Sequence, residues 1–238
     1  RDFTVNAMAL HPERGLIAPG DFLPVAEITG QARQIGRWTI REACRQTRAW
    51  LDASPGRADF TVSINLSDCQ FWDPELRPTL QGELAASGVS PSTLVIEVTE
   101  GVIVHNRDAA IDVMRRLRED GFALHLDDFG TGYSSLSTIQ AFPVSALKID
   151  RSFVGRMGAD SRSRELVTLM IDIGSRLGLE VIAEGIETEA EAELLRELGC
   201  PLVQGFLFSR PVPAMDAAAF LPPTQPRDVS AERLRGHP

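Results

Sequence analysis

The chain has 238 residues, 43% of them hydrophobic, which is enough for one sizeable core and within the range of a single α/β barrel. A formal net charge of −9 argues against a general DNA- or RNA-binding surface. Cys44, Cys69 and Cys200 are scattered and form no CxxC pair, which fits reduced thiols and predicts a cytoplasmic setting. No run is long and apolar enough to span a bilayer, and no signal peptide is evident. The start at Arg1 predicts a piece of a longer protein, whose other segments would supply any membrane anchor or sensor.

An amphipathic helix is predicted first, with Ile40, Ala43, Cys44, Thr47 and Leu51 on one face. Short apolar runs at 60–66 and 93–98 read as buried strands, followed by a helix that faces inward through Ala110, Val113, Met114 and Leu117. Strands at 122–127 and 146–149 come next, then a helix with Leu166, Leu169, Met170, Ile173 and Leu177 in one stripe. A strand at 180–184 leads to a helix bearing Leu194, Leu195 and Leu198, which Gly199 terminates, and a last strand is predicted at 202–206. Residues 1–221 form the predicted domain, with its first strand truncated, and 222–238 read as a linker or disordered tail.

Regular strand–helix alternation predicts a parallel sheet, closed or open. Asn65, Glu97, Asp127, Asp128, Lys148, Glu184 and Gln204 all fall at or near the C-terminal ends of successive strands. A barrel gathers those ends into one mouth, whereas an open sheet spreads them along an edge. The fold expected is therefore an α/β, TIM-like (β/α) barrel.

Adjacent Asp127 and Asp128 at a strand end, followed by Gly130 and Gly132, suit divalent cations, because one carboxylate can bridge two ions. The alternative is a plain Asp/Gly turn. Glu97, Asn65 and Glu184 at other strand ends favour metal, since buried carboxylates without a counter-charge are costly. Lys148 can orient a water or neutralise a phosphate oxygen; otherwise it forms a salt bridge to Asp150 or to a carboxylate of the mouth. Glu187, one turn after Glu184, either braces a loop or touches substrate. His125 lies inside an apolar strand and reads as a core residue, while His11, His105 and His237 lack metal-ligand spacing.

The run DDFGTGYSSL from Asp127 to Leu136 resembles the signature of EAL-domain cyclic di-GMP phosphodiesterases. Lys148-Ile-Asp150, Ala183-Glu-Gly-Ile-Glu187 and Gln204-Gly-Phe206 match further motifs, as do His11-Pro-Glu-Arg-Gly15, Asn65-Leu-Ser67 and Glu97-Val-Thr-Glu100. The likeness implies a hydrolase that opens one phosphodiester of cyclic di-GMP to linear pGpG by in-line attack of metal-activated water. It implies two Mg²⁺ or Mn²⁺ ions: Asn65, Glu97 and Asp127 as ligands of one, Asp127, Asp128 and Glu184 as ligands of the other. Lys148 corresponds to the group that holds the water, with Glu184 and Asp128 beside it. Asp150 and Gln204 correspond to supporting or substrate-side residues. Glu187 and the loop 130–135 correspond to a segment that couples a homodimer contact to the site. An upstream sensor or GGDEF-type domain is the partner the family leads one to expect.

The sequence departs from the family at its start. An ungapped alignment puts Thr4 where the family's Glu-Ala-Leu glutamate ligates the first metal, and Met8 where its Arg stands. Asp2 is the only acid before Glu13, and its use there implies a shifted register. Either the domain is a cyclic di-GMP receptor that has lost turnover, or the chain lacks the Glu-bearing segment.

Overall fold

The computed structural model describes residues 2–5, 7–53, 60–104, 106–132 and 136–221. Strand β1 (Asp2–Val5) opens the chain, and the hairpin β2 (Ala9–His11) and β3 (Gly15–Ile17) follows it. Six further strands complete the main sheet: β4 (Thr61–Leu66), β5 (Leu94–Thr99), β6 (Ala123–Phe129), β7 (Ala146–Ile149), β8 (Glu180–Glu184) and β9 (Leu202–Gln204). All neighbours run parallel, in the order β1-β4-β5-β6-β7-β8-β9. The sheet curls into a half-barrel. Among the described residues β1 and β9 share no backbone ladder, yet the Gln204 side-chain amide on β9 donates to the Thr4 hydroxyl on β1 at 3.1 Å.

Side chains alternate across a strand, so the register assigns each residue to a face. Val62, Leu94, Ile96, Val98, Leu124, Leu126, Leu147 and Ile149 point outward, where helices cover them and all are buried. Each fully buried Leu or Ile of this layer contributes about 1.5–3 kcal/mol of hydrophobic stabilisation. The opposite, concave face carries Asp2, Thr4, Ser63, Asn65, Glu97, His125, Asp127, Lys148, Glu184 and Gln204. The sheet is thus apolar outside and polar inside.

The helix Ala32–Ala53 buries Ile40, Ala43, Cys44 and Thr47 as expected, with Trp50 added to the seam. The helix Ser161–Arg176 differs from expectation: it buries Val167, Met170, Ile171 and Gly174, while Leu166 and Leu169 are exposed. Gly174 explains the rotation. A β-carbon there would lie 2.2 Å from Val181 Cγ2, so the helix approaches β8 along its glycine, and the Leu166–Leu169 edge turns to solvent. The last strand ends at Gln204 rather than at 206, because Gly205 packs against the backbone of Ile186 too closely for any side chain. The truncated first strand expected from the sequence is, in the structure, a four-residue strand laddered to β4. The predicted tail 222–238 lies outside the described residues.

Candidate active site

Lys148 organises the polar face. Its ammonium, fully buried, lies 2.8 Å from Glu97 Oε2, 3.3 Å from Asp127 Oδ1 and 2.6 Å from Glu184 Oε1. Four adjacent strands, β5 to β8, supply these groups, each from an inward position of its register. Of the two salt-bridge partners expected for Lys148, the structure has the mouth carboxylates; Asp150 instead caps the helix Arg151–Val154, accepting from the Ser152 N–H at 3.0 Å.

Asp128 reaches the same site by a backbone device. Consecutive strand residues face opposite ways, so Asp127 and Asp128 could not both point inward from a regular strand. The β6–β7 register slips between Leu126 and Phe129, and Asp128 takes φ of +54°, a left-handed conformation that Asp tolerates better than most residues. Its N–H donates to Asp127 Oδ1 at 3.1 Å. One ligand atom each from Asp127, Asp128 and Glu184 then falls within 4.8 Å of the others.

The following loop is held from beneath. The buried Glu100 carboxylate lies against the backbone of Gly130 and Gly132, which counters the upward push of burial on its pKa, and a side chain at Gly132 would strike it. Glu100 belonged to a recognised motif, but nothing in the sequence marked it as the anchor of this loop. Residues 133–135 of the loop lie outside the described residues.

Asn65, one residue before the end of β4, pairs in register with Glu97 and is exposed. Gln204 pairs in register with Glu184 and bridges to Thr4. Glu187 is exposed, and its N–H donates to Glu191 in the capping box of the helix Glu189–Glu197. Two residues outside the sequence-predicted site, Asp2 and His125, share the concave face, His125 buried and Asp2 exposed. Asp2, Glu97 and His125 also bring one ligand atom each within 4.8 Å. Their only sequence signal is spacing, each standing two residues before an inward-facing position, Thr4 and Asp127.

Burial dominates the electrostatics. It pushes Glu97 up to about 7, against the pull of Lys148, and Asp127 adds to the rise. Glu184 and Asp128 are raised by burial first and by neighbouring carboxylates next. Lys148 is opposed by its own burial, but Glu97, Glu184 and Asp127 outweigh that and hold it firmly protonated. A folded-state pKa above the unfolded value stabilises the fold below the unfolded pKa and is lost as pH rises through the folded one. Metal-free protein is therefore expected to lose stability from about pH 4.5 to about pH 7 as Glu97 ionises. Chemical denaturation in EDTA across that window checks this; stability rising with pH would contradict it.

The donor set fits hard divalent cations. Asp127, Asp128 and Glu184 offer clustered oxygens, and Glu97 Oε1 is fully buried without a hydrogen-bond partner. The sequence profile of the EAL domain matches residues 3–211. The chain belongs to the EAL domain family. This EAL domain is 45% identical over 204 residues to the bifunctional diguanylate cyclase/cyclic di-GMP phosphodiesterase MucR of Pseudomonas aeruginosa, covering 86% of the chain and 30% of that protein. It is 41% identical over 210 residues to the signaling protein YkoW of Bacillus subtilis, covering 88% of the chain and 26% of that protein. The chain thus spans less than a third of the length of these relatives. Among solved structures, the PaMucR phosphodiesterase in complex with cyclic di-GMP superposes with a TM-score of 0.86 at 43% identity, covering 90% of this chain and 85% of that one. The EAL domain of Mycobacterium smegmatis DcpA gives 0.73 at 34%, covering 78% and 83%.

Proposed function

We propose that this EAL domain binds cyclic di-GMP at the barrel mouth and hydrolyses one of its phosphodiester bonds to give linear pGpG. The observation that carries the reading is the meeting of Asp127, Asp128 and Glu184 beside buried Lys148. The likeness to a phosphodiesterase solved with cyclic di-GMP supports it. The cofactors proposed are two Mg²⁺ or Mn²⁺ ions, one on Asn65, Glu97 and Asp127, the other on Asp127, Asp128 and Glu184. When bound, such ions acidify water and neutralise phosphate charge. Lys148 is the proposed group that orients the attacking water, its ammonium held in place by three carboxylates. Exposed Phe206, with the Arg210 guanidinium 4.9 Å from its ring centre, offers a stacking face for a purine next to Gln204.

One reading favours a receptor that does not cleave: the ungapped alignment puts Thr4 at the position of the family's ligating glutamate, and its hydroxyl accepts from Gln204. Calorimetric binding of cyclic di-GMP and pGpG release under Mg²⁺ separate the two, since a receptor gives binding without release. Thr4→Glu is expected to raise pGpG release by about tenfold or more, because it adds a carboxylate to the metal shell. Unchanged release would mean that Thr4 is not the limiting defect.

The partners proposed are a second copy of this chain and an upstream GGDEF-type or sensor domain, in a cytoplasmic setting. Exposed Leu166 and Leu169 on one helix edge support self-association. The Leu166→Asp, Leu169→Asp double variant is expected to sediment as a monomer where the parent chain is a dimer. A parent chain that is monomeric at high micromolar concentration, with and without cyclic di-GMP, would refute the dimer. Among the described residues no helix is long and apolar enough to cross a membrane.

A further inference from the structure

We propose that Asp2, Glu97 and His125 form a second kind of metal site, one step deeper in the barrel than the mouth, selective for a first-row transition ion such as Zn²⁺ or Fe²⁺ over Mg²⁺. Strands β1, β5 and β6 each contribute one side chain on the concave face, with ligand atoms mutually within 4.8 Å; Glu97 and His125 are buried, and Asp2, on the edge strand, is exposed. Two of these groups carry unpaired buried atoms, and that of His125 is independent of the hydrolytic metal set. Glu97 is wholly buried, and its Oε1 has no hydrogen-bond partner, Lys148 being engaged by Oε2. His125 is only 7% exposed, and its Nδ1 is also buried without a partner. Buried polar atoms left unpaired are costly, and two of them in one cluster ask for a shared counterpart.

The chemistry of the set selects the ion. Neutral imidazole is a good ligand for zinc-like ions and a poor one for Mg²⁺, and two carboxylates balance a dication. Asp2 is already oriented, accepting from the Thr61 hydroxyl at 3.0 Å and the Ser63 hydroxyl at 2.7 Å, the kind of outer support that fixes a ligating carboxylate. The site also changes the meaning of Thr4. The carboxylate absent there reappears two residues earlier on the same face of β1, reaching Glu97 without any shift of strand register. Only Glu97 is shared with the metal set proposed for hydrolysis, so the two readings can fail separately.

Co²⁺ alone serves as the probe, titrated into the EDTA-stripped full chain with millimolar Mg²⁺ present and followed by visible absorption. The parent chain is expected to bind Co²⁺ in the presence of Mg²⁺ with a spectrum showing nitrogen ligation. His125→Gln and Asp2→Asn should each weaken that binding by about tenfold or more and His125→Gln should lose the nitrogen-ligation spectrum, while the exposed Glu193→Gln should leave both unchanged. Should His125→Gln fail to fold, as judged by circular dichroism, Asp2→Asn on the edge strand carries the test. Co²⁺ binding and its nitrogen-ligation spectrum unaltered in the folded His125→Gln and Asp2→Asn variants overturn the site. A parent chain that takes up Co²⁺ through His125 yet releases no pGpG leaves this inference standing and removes the hydrolytic one.

Discussion

Asp127→Asn is expected to lower pGpG release by about a thousandfold or more in Mg²⁺ or Mn²⁺ while leaving the fold intact. Asp127 is the carboxylate assigned to both ions of the proposed mechanism, and it lies 3.3 Å from Lys148 and within the Asp128–Glu184 cluster. Replacing one oxygen by an amide NH₂ removes the charge and points a donor at a cation. Stability should change little, because Lys148 keeps its closer partners Glu97 and Glu184. The comparison is Glu193→Gln, which breaks only an exposed i,i+3 pair with Arg196 at 2.6 Å and should keep full activity. Equal pGpG release by the two variants, measured by chromatography at matched concentration, would remove Asp127 from the chemistry.

Much of this site was legible because parallel barrels put strand ends together. The order Asn65, Glu97, Asp127, Lys148, Glu184, Gln204 along the chain is the order of the strands around the sheet. Period-two alternation then gave the inward face once the strands were placed. Other features depend on quantities a pattern does not carry. Nothing in the sequence announces that Asp128 sits at φ +54° on a register slip, which is what turns two adjacent carboxylates to one side. Leu166 and Leu169 fit the helical stripe as well as Val167 and Met170 do, and only the close contact of Gly174 with Val181 decides which edge is buried. Asp2 and His125 read as a terminal acid and a core histidine until the register pairs His125 with Glu97 and sets Asp2 of β1 on the same face within ligand reach.

Lys148→Met is expected to be the most destabilising single change in the polar interior, and the loss should depend on pH and on metal. The ammonium is fully buried between Glu97, Asp127 and Glu184, so its removal leaves carboxylates facing one another in a poorly solvated space. Breaking a buried ion pair by deleting one partner costs about 3–5 kcal/mol, a large share of the 5–15 kcal/mol typical of a domain. For a domain of this size the melting temperature should fall by roughly 10 °C at pH 8. Protonation offers partial relief. Glu97 titrates near pH 7 even beside Lys148, and Glu184 is raised as well, so without the lysine both take up protons more readily. At pH 5 most of the deficit should therefore vanish, the variant falling away from the parent as pH rises. Mn²⁺ should also recover stability at pH 8, since a dication neutralises the same carboxylates, while pGpG release stays low for want of the group that orients water. Calorimetric melts of both chains at pH 5 and pH 8, with EDTA or Mn²⁺, test all of this together. A variant as stable as its parent at pH 8 in EDTA would show that the three carboxylates do not need Lys148 as their counter-charge.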